Sequence, residues 1–320
     1  MSTDIDSRFV SARNSIGGAR WLPGVGLALA GVIIALVLAP RVFSLGGINA
    51  VSSSLAVVGI VALAVVVVLG VGGLDLSVAG IVEMSAAAGL VALHTFGGGT
   101  ATQVLVTLGV AAAAGVINGV LVAFLRLSSL LATLATSFVF IAVGLALTGG
   151  SPIGDVSEGV EWFRSATVGI PNALITLLAL TVIVSVVTAK TTAYRRVLLS
   201  GANRTAAVLD GARVRLAEFV VYVAGALICG VAALVVTGQL GAFTSGQSGD
   251  LVLLALGVGL LGGTKLFGGY VSPVGAVAGA FLLALLTVVM SLRYVEPSIQ
   301  QIVQGVVLLV AVCLAAREKG

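Results

Sequence analysis

Apolar stretches of about 20 residues recur from residue 21 to residue 316, separated by short polar links. A bilayer core is about 30 Å thick and offers no water to backbone N–H and C=O groups, so each stretch must fold as an internally bonded helix. The predicted spans are 21–40, 50–70, 76–95, 101–125, 129–148, 171–190, 217–240, 250–262, 273–292 and 299–316. Composition agrees: 59% of the 320 residues are hydrophobic and 9% are charged, against about 25% charged in a soluble domain. The expected fold class is an all-α integral membrane protein with about ten transmembrane helices per chain. A single transmembrane domain over 21–316 lies between cytoplasmic tails at 1–20 and 317–320. The polar start MSTDIDSRFVSARNSIGGARW has no small-residue cleavage site after it, so it reads as a tail and not as a secretory signal.

The eighth span, DLVLLALGVGLLGG, is too short to cross alone and is expected to be tilted, broken or shielded by protein. Charge placement argues that it crosses. With an inside N-terminus and ten crossings, only Arg41, Arg164 and Arg293 of the 16 Lys and Arg residues fall outside, the asymmetry of the positive-inside rule. If this segment were a re-entrant hairpin, Arg317 and Lys319 would also fall outside. Positive charge therefore reports orientation in a bilayer and does not call for a nucleic-acid partner. Glycine is abundant, at 43 residues. Its spacing at Ala111, Gly115 and Gly119, and at Gly275 and Gly279, permits close helix approach without saying which helices meet.

Catalytic chemistry finds no support. The single histidine, His94, has no G-x-S-x-G turn to serve. LLGGTKLFGG places Lys265 among glycines in the wrong order for a phosphate loop. Cys229 and Cys313 sit in apolar runs without metal-ligand spacing, so neither a metal site nor a disulfide is expected. The chain is expected to carry no cofactor and no nucleotide-binding motif of its own.

Two carboxylates stand out against this background. Asp75 precedes the third span and is placed to cap it through the amides of Ser77 or Val78. Glu83 lies eight residues on, about 12 Å deeper if the helix is continuous. A charge at that depth must be paired, protonated or wet, so Glu83 either lines a pathway or is paired within the bundle. His94 shares its helical stripe but lies about 16 Å away. The longest inside loop holds LLSGANRTAAVLDGARVRL, where Asn203 suits an N-cap, Arg204 to Leu209 a short helix and Gly211 its stop. On local features alone this segment is equally a basic interfacial loop that holds topology.

The run INAVSSSLAVVGIVALAVVVVLGVGGLDLSVAG resembles the ribose-type sugar permeases of bacterial ABC importers, within the branched-chain amino acid and sugar permease superfamily. Their Gly-Gly-Ile-Asp-Leu-Ser-Val signature is matched by Gly72, Gly73, Asp75, Leu76, Ser77 and Val78. Asn118 with Gly119 and Thr133 with Leu134 match two further pairs. Asn203, Ala206, Ala207, Leu209 and Gly211 match a third motif, and Gly262, Gly263, Thr264, Gly268 and Gly269 a fourth. The order of motifs agrees from about residue 45 to 312. Glu83 departs from the family, which has a small or apolar residue there.

The resemblance implies a permease subunit in the bacterial inner membrane, paired with a second permease chain, identical or paralogous. It further implies an ABC ATPase with two nucleotide-binding domains, which binds ATP and Mg, and an extracytoplasmic solute-binding protein. The loop at about 191–216, with Asn203, Arg204, Ala206, Ala207, Leu209 and Gly211, would be the coupling segment that docks on the ATPase. An uncharged sugar or polyol would need hydrogen-bonding groups, and Glu83, Asn118, Asn49 and Ser85 are candidates, with Ser52, Ser53, Ser54 and Gln103 as further polar positions. Most of these serines are expected to bond their own helix backbone. A proton-coupled secondary transporter using Asp75, Glu83 and His94 is the alternative reading.

Overall fold

The computed structural model describes residues 22–209, 213–246 and 251–317. The chain runs through α1 (Leu22–Leu38), α2 (Leu45–Leu69), α3 (Val78–Phe96), α4 (Gly99–Gly119), α5 (Ser129–Thr148) and α6 (Asn172–Lys190). Two shorter helices follow, α7 (Thr192–Ala202) and α8 (Arg204–Leu209), then α9 (Val214–Leu240), α10 (Leu251–Leu261), α11 (Pro273–Leu292) and α12 (Pro297–Arg317). Among the described residues the protein is all-α apart from a hairpin of two-residue strands, which pairs Ala166 with Pro171 and Thr167 with Ile170, and an isolated bridge between Ile153 and Phe243. Helices α1 to α6 and α9 to α12 fall on the segments that the sequence marks as spans.

Among the described residues, seven helices are long and apolar enough to cross a membrane: α2, α3, α4, α5, α6, α9 and α11. Shorter apolar stretches cover 28–38 in α1, all of α10, and 297–310 in α12. The 11 residues of α10 rise only about 16 Å. Protein shields it: α10 packs against α2, α11 and α12, and Ala255, Gly257, Val258, Gly259 and Leu261 are buried.

Helix α2 is the centre of the bundle. It packs against α9, α11, α10 and α6, and every residue from Val58 to Leu69 is buried. Its run VVGIVALAVVVVL has no polar face to offer, and a helix that is apolar all round is enclosed all round. The most extensive contact joins α4 to α9. A Cβ added to Gly115 would lie 2.7 Å from Ala226 Cβ and 2.8 Å from Val223 Cα, so the small-residue stripe of α4 meets α9 at backbone distance.

Two expectations need correction. The third span does not start at residue 76, because residues 73–77 carry no regular secondary structure and the helix begins at Val78. The 12 Å helical offset between Asp75 and Glu83 therefore does not hold. The inside loop is also not a loop with one short helix, since α7 fills its first half. Thr191 accepts from the Tyr194 amide at 3.3 Å to start α7, and Tyr194, Val197 and Ser200 form its buried stripe.

The link between α5 and α6 is also structured. One helical turn at Glu158–Glu161 precedes the hairpin, and buried Gln103 of α4 accepts from Ser157 through both its amide (2.9 Å) and its hydroxyl (2.7 Å). Gln103 is thus occupied in anchoring this link. Exposed His94 ends α3 beside it, 3.0 Å from the Gly154 carbonyl.

Candidate functional site

The segment that carries the glycine and aspartate signature is an irregular, largely buried connection between α2 and α3. Buried backbone outside helices must find partners for its polar groups, and here side chains supply them. The Leu74 amide donates to Ser129 Oγ (3.2 Å) and the Leu76 amide to Thr133 Oγ1 (3.0 Å). Tyr222 of α9 donates its hydroxyl to the Leu74 carbonyl at 3.2 Å. Asp75 Oδ1 accepts from the Ser77 amide (2.9 Å) and the Ser77 hydroxyl (2.5 Å). Ser77 Oγ in turn accepts from Asn118 Nδ2 at 2.7 Å, and Asn118 Oδ1 accepts from Thr136 Oγ1 at 2.7 Å. One chain of hydrogen bonds thus ties the start of α3 to α4 and α5.

The second carboxylate oxygen of Asp75 has no hydrogen-bond partner among the described residues. The connection 70–77 lies outside the helical spans, and burial there pushes the Asp75 carboxyl above its ordinary 3.8, opposed by the two Ser77 hydrogen bonds. With a folded-state pKa raised above the unfolded value, the contribution of Asp75 to stability is fully present below about pH 4 and is lost as pH rises through the raised value. Asp75→Asn keeps the Oδ1 acceptor and removes the buried charge. At neutral pH its melting temperature is expected to equal or exceed the parent's, by about 2–4 °C per kcal/mol relieved, with a flatter pH profile. A lower melting temperature at pH 7 would mean that the ionised carboxylate is a net support.

Three glycine-bearing segments meet beneath this site. The Gly269 amide donates to the Gly70 carbonyl at 3.2 Å. A Cβ on Gly268 would lie 2.6 Å from the Gly72 amide and 2.9 Å from Gly201 Cα. Gly72 and Gly268 both take left-handed φ, 76° and 82°, where a side chain adds strain. Gly201 closes α7 against this crossing, and the buried Tyr194 hydroxyl of α7 donates to the Val67 carbonyl of α2 at 3.0 Å. The root of the α7–α8 segment is therefore set into the end of the central helix.

Beyond the root, α8 projects. Asn203 Oδ1 accepts from the Ala206 amide at 3.0 Å and caps it. Ala207 is buried, while Val208 and Leu209 are 57% and 84% exposed. Arg204 pairs with Glu218 of α9 through both guanidinium nitrogens, and the Glu218 side chain is only 8% exposed. Arg204→Met strands that carboxylate. The half-exposed arginine moderates the loss to about 2 kcal/mol, below the 3–5 typical of a fully buried pair. Adding Glu218→Gln is expected to restore most of it, as thermal denaturation of the two variants would read.

The four pathway candidates lie on three helices, Glu83 and Ser85 on α3, Asn118 on α4 and Asn49 on α2. Asn118 is fully buried with both amide atoms engaged, and Glu83 (2% exposed) and Ser85 (0%) are enclosed on α3. Ser85 Oγ has no partner among the described residues, unlike the backbone-bonded serines expected. Asn49 lies exposed near the start of α2. Gly211 falls outside the described residues. For the alternative relay, Asp75 is engaged with Ser77 before α3 begins and His94 is exposed at the far end of that helix. Sequence reading missed Ser129, Thr136 and Tyr222. Ser129, Thr133 and Thr136 are spaced four and three apart on an apolar helix, a one-face signal that was available.

Comparison with known proteins places this architecture. Residues 47–312 match the family model of the branched-chain amino acid transport system permease component. The chain is 33% identical over 299 residues to the ribose import permease protein of Bacillus subtilis (strain 168), covering 91% of each chain. It is 30% identical over 296 residues to a probable ABC transporter permease protein of Sinorhizobium fredii, covering 90% of this chain and 88% of that one. The D-allose transport system permease protein of Escherichia coli (strain K12) is 27% identical over 76% of this chain and 75% of its own length. This multi-pass membrane chain therefore belongs to the permease family of branched-chain amino acid transport systems, whose relatives here are ABC transporter permeases.

Proposed function

We propose that the chain is the permease subunit of an ATP-driven importer for a sugar or related polyol in the bacterial cytoplasmic membrane. A second permease chain would complete the conduit, an extracytoplasmic binding protein would deliver solute, and a separate ATPase would bind ATP and Mg. Both termini and α8 would face the cytoplasm. The observation that carries this reading is the seating of the α7–α8 root against the end of α2, with apolar Val208 and Leu209 left exposed on α8. A helix gripped by a partner there would transmit rigid-body motion to the bundle centre. The names of the relatives, which include ribose and D-allose permeases, support a sugar.

The test is reconstitution of the complex in proteoliposomes with its ATPase and binding protein, measuring which of a panel of pentoses, hexoses and polyols accelerates ATP hydrolysis. Leu209→Glu is expected to abolish that acceleration while leaving the melting temperature of the permease unchanged, because the side chain is exposed. Full acceleration in Leu209→Glu would remove α8 as the docking element.

A further inference from the structure

A cavity of about 890 Å³ opens between the end of α4, the start of α5, α8 and the start of α9. Its volume is that of a small-molecule site. Arg126, Arg204, Arg213 and Arg215 line it, and Glu218 is the one acid in its wall among the described residues. Arg204 is already paired with Glu218. Among the described residues, no carboxylate lies within ion-pair distance of Arg126, Arg213 or Arg215. The inner wall holds Gly72, Gly73, Ser129 and Tyr222 of the contacts described above, and the outer wall has an apolar part open to the surroundings, where Phe124 and Leu216 are each 47% exposed.

A bias of positive charge toward one side of the membrane accounts for arginines at this end. It does not account for their convergence on one cavity. Arg126 is also held in the left-handed region, at φ 58°, an uncommon conformation for a non-glycine residue. The turn that closes α4 imposes it: the Leu125 amide bonds the Val120 carbonyl at 3.0 Å and the Leu127 amide bonds the Leu121 carbonyl at 3.1 Å. Backbone strain kept at a charged cavity is a mark of function.

We infer that this cavity binds the phosphate of an anionic phospholipid from the adjoining leaflet. Guanidinium groups match phosphate oxygens in geometry and charge, and basic pockets at helix ends are suited to lipid headgroups. The apolar, exposed part of the wall selects the source, since glycerol and acyl carbons need such a surface and inorganic phosphate does not. A lipid bound here would touch both α8 and the start of α9, so membrane composition would bear on the element that α8 presents to its partner.

The experiment uses the full-length chain in phosphatidylcholine nanodiscs, titrated with fluorescent phosphatidylglycerol, and lipid phosphorus retained after detergent purification. Saturable binding is expected, weakened about fivefold by each of Arg126→Gln, Arg213→Gln and Arg215→Gln. Arg126→Lys, which keeps the charge if the glutamine variant misfolds, is expected to retain most of it. Arg41→Gln, remote from the cavity, is expected to leave it unchanged. Equal weakening by Arg41→Gln, or no weakening by any cavity variant, would overturn the assignment. Displacement by millimolar inorganic phosphate with no retained lipid would also overturn it, in favour of a soluble anion. Because lipid binding is read without the ATPase or binding protein, its failure is distinct from failure of the importer reading.

Discussion

Gly201→Leu is expected to abolish solute-stimulated ATP hydrolysis and to destabilise the chain by about 3 kcal/mol or more, the upper range for overpacking. An added Cβ at this position runs into the Gly70 carbonyl and comes within 2.9 Å of the Gly269 amide. Both obstacles are backbone, so no side chain can rotate away. Gly70 ends the central helix and Gly269 precedes α11, so any shift that admits the new side chain separates α7 from the elements it would drive. Gly201→Ala is expected to show a smaller version of the same effect. Thermal denaturation in detergent and ATPase assays of the reconstituted complex measure the two parts. A leucine variant with parental stability and stimulation would mean that this crossing is loose.

Asn118→Leu is expected to cost about 2–3 kcal/mol. The substitution nearly conserves volume, so the loss reports hydrogen bonding: two bonds disappear in a buried site, at about 1 kcal/mol each with a further penalty for any group left unsatisfied. Thr136→Val tests the same chain from its other end and is expected to cost less, about 1 kcal/mol, because Asn118 Nδ2 still reaches Ser77 Oγ. Thr136 itself has a fallback in Asn118→Leu, since its hydroxyl also lies 3.2 Å from the Thr133 carbonyl. Equal losses for the two variants, or none for Asn118→Leu, would contradict the assignment of Asn118 as the tie between α3, α4 and α5.

The spans were legible because lipid imposes one rule on every segment, and α10 was legible as the exception because its length falls short of that rule. The start of α3 was not. The bond from the Ser77 amide to Asp75 is the one expected, but hydropathy does not report that Ser129 and Thr133 of a later helix accept from the amides of Leu74 and Leu76 before the helix begins at Val78. Helix α7 was hidden for a related reason. Its apolar positions form a narrow stripe in a charged segment, which a search for uniformly apolar windows passes over. Polar residues inside the bundle were easy to find, but their partners were not. Asn118 was legible as a polar residue within a span, but not that its amide bonds Ser77 and Thr136.

Uptake into proteoliposomes holding the permease, its ATPase and its binding protein tests the central claim most directly. Accumulation of labelled sugar against its gradient is predicted to require ATP and binding protein, to persist when an uncoupler collapses the proton gradient, and to vanish with Leu209→Glu. Accumulation by the permease alone, driven by a proton gradient without ATP, would contradict the account.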